Sequence, residues 1–294
     1  TSTPSTSIAL TGTGPYAGGW YHSMVRATLS ADGGTSGIQT FEYDLDGSGW
    51  TATTPGAMLM VGDGMHVLKT RLVTVSGKAA SAEKAFNVDE EPPLTILTTI
   101  PAAPDGLAGW FITNPTIRLN AADPTPGSGI REIHYRWDTG PETVTVGDVA
   151  VFPADPAVGV LHFFAVNDDG NAELEQTATL KIDLADPTIA AVPVPPVNGQ
   201  NGWHITQPAV NLNAADPAGS AKASGVASIT WRWDSTAPQQ HAGSTLSLPA
   251  PPGEHTLYYS VSDNAGRTAA EASIVVKYDD TTPTIAIELA GTSP

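Results

Sequence analysis

The feature that most constrains this chain is a short hinge that occurs three times. Val88-Asp89-Glu90-Glu91-Pro92-Pro93, Ile182-Asp183-Leu184-Ala185-Asp186-Pro187 and Tyr278-Asp279-Asp280-Thr281-Thr282-Pro283 each place a proline four residues after an aspartate. An apolar, Thr-rich run follows each proline. Proline has no N–H to give to a ladder, so it belongs at a strand start or an exposed edge. One strand therefore ends at each Asp, and the next begins after the Pro. Pro93, Pro187 and Pro283 are 94 and 96 residues apart, so the chain reads as one fold copied in series. The expected repeats are 1–89, 90–183 and 184–279. Residues 280–294 then open a fourth repeat or form a strand exchanged with another molecule, because Pro283–Pro294 echoes Pro4–Pro15.

Composition sets the class. Glycine and proline together account for 54 of the 294 residues, and short Val- and Thr-rich runs separate the turns, which predicts an all-β chain. Repeats of this length can each bury a core without staples. There is no cysteine, which excludes disulfides, thiolate zinc sites and thiol nucleophiles. A net charge of −17, from 30 acidic and 13 basic residues, disfavours a nucleic-acid partner. No apolar run reaches the roughly 20 residues needed to span a bilayer. No secretory leader is visible, which reads as a mature chain or an excised piece.

Within the repeats the matches fall in a fixed order. A Gly-Trp pair opens each body: Gly19-Trp20, Gly109-Trp110 and Gly202-Trp203. A strand then ends in Asp32, Asp123 or Asp216, and a loop of variable length closes on Ser36-Gly37, Ser128-Gly129 or Ser224-Gly225. Nine residues after each of those glycines stands Asp46, Asp138 or Asp234. The strand between them has period two. Phe41, Tyr43 and Leu45, then Ile133, Tyr135 and Trp137, then Ile229, Trp231 and Trp233, share one face. Polar residues fill the other, as in a half-buried sandwich strand. A later strand begins at Gly64, Gly159 or Gly253 and carries His66, His162 or His255. About seven strands per repeat match the size of an immunoglobulin-like sandwich.

This ordered set resembles the tandem bacterial Ig-like repeats of surface and secreted proteins. Repeat three carries the closest match. The resemblance implies three Ig-like β-sandwiches in an extended rod and an extracellular or cell-surface setting. The family offers spacers rather than shared catalytic residues. Strands of five to eight residues span roughly 17–26 Å, so three repeats with their loops predict a rod on the order of 110–130 Å.

The candidate chemistry is weighed against simpler accounts. Asp89, Asp168, Asp169, Asp183, Asp186, Asp263, Asp279 and Asp280 could supply oxygens to calcium at the joints. The simpler account, favoured here, is that Asp and Asn serve turns by bonding their own backbone. Trp20, Trp110 and Trp203 recur at one structural position, Trp137, Trp231 and Trp233 fall on the inward face by periodicity, and all six read as core. Trp50 in Gly47-Ser48-Gly49-Trp50 does not recur; it is a candidate sugar platform, with folding over its own hairpin preferred. The histidines fall in separate repeats and read as strand residues. No nucleophile elbow, HExxH or phosphate loop is present.

The expectation is a non-catalytic structural array of a bacterial surface protein, adhesin stalk or fibrous filament. It needs no cofactor beyond possible joint calcium, and its partners are neighbouring repeats or subunits. The alternative is a carbohydrate-binding accessory module of a secreted glycan-active enzyme.

Overall fold

The computed structural model describes residues 3–155, 159–219, 222–288 and 290. Thr1, Ser2, Leu289 and residues 291–294, parts of the expected first and last segments, lie outside the described residues. The chain is all-β. The first repeat carries β1 (Ser5–Thr11), β2 (Trp20–Tyr21), β3 (Val25–Asp32), β4 (Ile38–Leu45), β5 (Thr51–Ala52), β6 (Met58–Val61), β7 (Gly64–Thr74) and β8 (Ala79–Val88). After the first hinge come β9 (Leu94–Ile100), β10 (Trp110–Phe111), β11 (Thr116–Ala122), β12 (Ile130–Trp137), β13 (Thr143–Val146), β14 (Val149–Pro153), β15 (Val160–Asn167), β16 (Gln176–Thr179) and β17 (Lys181–Ile182). The second hinge leads to β18 (Thr188–Val194), β19 (Trp203–His204), β20 (Ala209–Ala215), β21 (Val226–Trp233), β22 (Gln239–Ala242), β23 (Thr245–Pro249), β24 (Gly253–Asp263) and β25 (Ala272–Tyr278).

The chain forms two compact units. One comprises Thr1–Ile100, Thr116–Pro153 and Val160–Thr179; the other comprises Pro101–Pro115, Ala154–Gly159 and Leu180–Pro294. The first unit contains the sheets β1-β3-β6 and β2-β8-β7-β4-β5, then β14-β11-β9 and β13-β12-β15-β16. In its first repeat, Val25, Ala27 and Leu29 of one sheet pack with Phe41, Leu68, Leu72 and Phe86 of the other. That is a sandwich core, with the strand order of an immunoglobulin-like domain. Beyond the hinge, Tyr135 of β12 and Phe152 of β14 stack with centroids 3.9 Å apart, joining those two sheets in the same way.

The second unit contains the short pair β10-β17 and the sheets β18-β20-β23 and β19-β25-β24-β21-β22. Val210, Leu212 and Leu248 pack here against Ile229, Leu257, Tyr259 and Val276. Residues 280–288, expected to open a further strand, form none, and Ile285 and Ile287 are exposed.

The Gly-Trp pairs close tight turns. Ala108 and Gly109, like Asn201 and Gly202, both have positive φ. Trp110 N–H reaches the Leu107 carbonyl and Trp203 N–H the Gln200 carbonyl, each at 3.0 Å. Two consecutive residues at positive φ make a type I′ turn, and Gly occupies its second central position without steric cost. The turn feeds a two-residue strand that runs parallel to the end of the repeat.

The tryptophans, expected in the core, lie at its margin, and Trp231 and Trp233 pack against it while only partly buried. Trp20, Trp110 and Trp203 are half-buried, and the next residue in each case (Tyr21, Phe111 or His204) is the buried one. Trp137, Trp231 and Trp233 are also half-buried, while Ile133 and Ile229 further back on the same strands are fully enclosed. Period two gives the face of a residue and not its depth, and these indoles lie toward the strand ends.

The packing predicts a contrast between two substitutions. Ile229→Ala, at a site with 0% exposure, should cost about 2–5 kcal/mol in denaturant unfolding. Met58→Ala, at 62% exposure, should shift stability by no more than about 0.5 kcal/mol.

Candidate metal centre at the repeat joints

The two internal hinges are built on one plan. At the second, Asp183 follows β17 and is completely buried. Its N–H donates to the Phe111 carbonyl (2.9 Å). The Ser224 N–H donates to Asp183 Oδ2 (2.8 Å), and the Ala185 N–H to Oδ1 (3.2 Å). Asp216, just beyond β20, accepts the Gly225 N–H on Oδ2 (2.6 Å). The Ser-Gly turn thus clamps the hinge carboxylate with one N–H and its own strand's carboxylate with the next. The first hinge repeats this: Ser128 N–H to Asp89 Oδ2 at 2.8 Å, and Gly129 N–H to Asp123 Oδ2 at 2.7 Å.

The third member of each cluster differs. In the second joint it is Asp263, the last residue of β24 and only 2% exposed. Its Oδ1 accepts the Arg267 N–H at 2.9 Å. Asp183, Asp216 and Asp263 each offer a carboxylate oxygen within 4.8 Å of the others. Asp216 Oδ1 and Asp263 Oδ2 are buried without a hydrogen-bond partner. Burial, reinforced by the charges of Asp183 and Asp216, pushes the Asp263 carboxyl above its ordinary range. The Arg267 guanidinium is directed elsewhere, to Asp186 Oδ1 (2.8 Å) and the Ile112 carbonyl (2.8 Å).

In the first joint the matching position is Asn167, fully buried at the end of β15. Its Nδ2 donates to Asp89 Oδ2 (3.0 Å), and its Oδ1 accepts the Asn171 N–H (2.7 Å). Asn171 Nδ2 donates to the Asp89 carbonyl (2.7 Å) and to Asp169 Oδ2 (3.1 Å). Amide N–H groups therefore meet the buried carboxylates here. Asp123 Oδ1 remains without a partner. Burial raises the Asp123 and Asp169 carboxyls, and the charge of Asp89 adds to both shifts.

Of the eight acids proposed from sequence, the structure brings Asp183 and Asp263 together and places Asp89 and Asp169 in the related cluster. Asp168 is half-buried and is held by its N–H to the Gly129 carbonyl (2.8 Å). Asp186 is exposed and paired with Arg267. Asp279 and Asp280 are exposed; Asp279 Oδ1 accepts both the N–H and the hydroxyl of Thr281, which holds its carboxyl below the usual range. Asp216 and Asp123 were not among the eight. Their signal was present, since an Asp closes the same strand in every repeat, always ahead of the Ser-Gly turn.

Trp50 is 40% exposed, and the Arg71 guanidinium lies 4.2 Å over its ring. Arg71 belongs to β7, so one face of the indole is covered by a neighbouring strand, and Arg71 is itself tied to Glu42 at 2.6 Å. The recurrent His on the later strand is a clip. His255 Nδ1 meets Asp234 Oδ2 at 2.6 Å and its Nε2 meets the Pro252 carbonyl at 2.8 Å. Both partners are acceptors, and only the doubly protonated ring donates to both. The bond to Asp234, with the Pro252 carbonyl adding, raises the His255 pKa. His66 makes the same pair of contacts with Asp46 (2.8 Å) and the Gly62 carbonyl (2.9 Å). In the second repeat His162 pairs instead with Glu175, at 2.8 Å.

No family model matches the chain, and no curated protein does. Among solved structures it is similar to the tetra-tandem repeat of the extending region of a large adhesion protein, at 13% identity and a TM-score of 0.35, covering 94% of this chain and 74% of that one. The three N-terminal domains of the bacteriophage RB49 highly immunogenic outer capsid protein give 14% identity and 0.33, covering 95% and 99%. The fibronectin(III)-like modules of Clostridium thermocellum CbhA give 15% and 0.27, covering 66% and 100%. At these scores the likenesses carry no functional argument. The assignment of tandem Ig-like modules rests on the sheet order and the cores.

Two outcomes follow from the contacts. Asn167→Ala leaves the buried Asp89 carboxylate short of a donor and should destabilise by roughly 1–3 kcal/mol in denaturant unfolding. The His255 clip stabilises fully below the ordinary histidine pKa of 6.5 and is lost as pH rises through the raised value. The thermal midpoint should therefore fall more steeply from pH 6 to pH 9 in the parent chain than in His255→Gln.

Proposed function

We propose that this chain is a non-catalytic spacer: tandem Ig-like modules that hold position and transmit load within an extracellular surface protein, adhesin stalk or fibrous appendage. The repeats 1–89, 90–183 and 184–279 are its mechanical elements. One observation carries this reading. At both internal hinges the linker aspartate is buried and clamped by the Ser-Gly turn of the repeat that follows, Asp89 by Ser128 and Asp183 by Ser224. A linker built for free rotation keeps its polar groups in water. Bending these joints would strip charge-assisted hydrogen bonds, each worth about 1.5–3 kcal/mol, from carboxylates that have no water to replace them. Prolines at the hinges narrow the backbone choices further. Calcium belongs to the same reading as a stiffener, because acids gather at these joints.

Among the described residues no helix is long and apolar enough to cross a membrane. The surface setting is supported by the resemblance to bacterial Ig-like repeats. The partners proposed are neighbouring modules of the same assembly. The carbohydrate-module alternative has lost ground at Trp50, where Arg71 takes one face of the indole.

Small-angle scattering tests the proposal. A rod of about 120 Å has a radius of gyration of roughly 35 Å, whereas a single compact body of this length would give roughly 19 Å. A value near the lower figure would overturn the spacer reading. Retention on insoluble polysaccharide that disappears in Trp50→Ala would restore the alternative.

A further inference from the structure

In the second joint three carboxylates offer oxygens within 4.8 Å of one another, whereas in the first Asp89, Asp123 and Asp169 are interleaved with the side-chain amides of Asn167 and Asn171. Asp183 and Asp263 are at least 98% buried, as their 0% and 2% exposures show. Asp263 Oδ2 and Asp216 Oδ1 accept nothing from the protein. The available N–H donors are already used: Ser224 and Ala185 on Asp183, Gly225 on Asp216, Arg267 on Asp263. The nearby guanidinium of Arg267 is committed to Asp186 and Ile112. Buried carboxylates this close are relieved by a bound cation or by taking up a proton, and a cation serves all three at once.

Resting on the stiff-joint reading above, we infer that Asp183, Asp216 and Asp263 bind one divalent cation of the calcium class, and that the first joint has exchanged that ion for the side-chain amide of Asn167. Calcium takes six to eight oxygens, and one oxygen from each of three carboxylates supplies up to about half, with water free to complete the shell. An all-carboxylate donor set favours hard cations over zinc or copper. Magnesium is the weaker candidate, because it demands strict octahedral geometry and keeps its water.

The first joint is an internal control. Asn167 occupies the place of Asp263: its N–H meets the Asn171 carbonyl as that of Asp263 meets the Arg267 carbonyl. There Nδ2 of Asn167 points at the hinge carboxylate, Asp89 Oδ2, at 3.0 Å. One amide thus does internally what the second joint leaves to a solute. Calcium would then set the stiffness of one joint and leave the other unchanged.

The test is a reciprocal swap in the full chain, stripped with chelator and titrated with calcium chloride by calorimetry. The parent should bind one Ca²⁺, with a higher thermal midpoint that chelator reverses. Asp263→Asn should lose at least tenfold in affinity yet fold without calcium, since it copies the arrangement of the first joint. Asn167→Asp should bind two ions. No binding by the parent at millimolar calcium, or binding unchanged in Asp263→Asn, would overturn the site. A single ion in Asn167→Asp would overturn the exchange. An extended particle that binds no calcium retires the ion and leaves the spacer standing, whereas a compact particle that binds it does the reverse.

Discussion

A buried carboxylate at a hinge is the constraint on which the joints depend. Asp89 and Asp183 end a strand of one repeat, yet their oxygens are satisfied by backbone N–H groups of the next. Removing such a group from water is expensive, and the cost is met only if the donor arrives at the right place. The Ser-Gly turn provides it. The serine N–H serves the hinge, and the glycine N–H serves the Asp at the end of the neighbouring strand. Each joint therefore fixes the linker and the turn together.

That arrangement explains why loop length varies and its endpoints do not. Four residues separate Asp123 from Ser128, and seven separate Asp216 from Ser224, yet both loops return their Ser-Gly pair to the same two carboxylates. Surface loops absorb insertions readily when their ends are held. Asp46, Asp138 and Asp234 show the same economy at another corner. Each adopts positive φ and accepts an N–H from the start of the later strand, at Val67, Val160 and Thr256. Aspartate in this fold is chiefly a receiver of backbone N–H groups, which is why it recurs once per repeat without implying catalysis.

Much of this was legible before any coordinates. The Gly-Trp turns and the alternation of strands such as Phe41-Glu42-Tyr43-Asp44 match the sheets found, and the first two hinge prolines lead into β9 and β18, while the third leads into no strand among the described residues. Depth was less legible. Trp231 and Trp233 share a face with Ile229, and only Ile229 is enclosed, because enclosure depends on what the opposite sheet brings over that face. The candidate site was half visible. Asp183 and Asp263 stood out as acids near the joints, while Asp186, Asp279 and Asp280 looked equally acidic and lie on the surface. Asp216 was read as a strand terminator, and its part in the cluster could not be seen from its neighbours in sequence.

By itself the sequence determined that the chain is a series of similar β-sandwich repeats with short hinges, since periodicity and turn chemistry are local properties of the backbone. Only the tertiary structure decided which carboxylates meet. Asp183, Asp216 and Asp263 lie far apart along the chain and converge because β17, β20 and β24, which belong to three different sheets, all end at this joint. The one difference at matching places, the amide of Asn167 in one joint and the acid of Asp263 in the other, acquires meaning only once burial removes the water that would otherwise have made them equivalent.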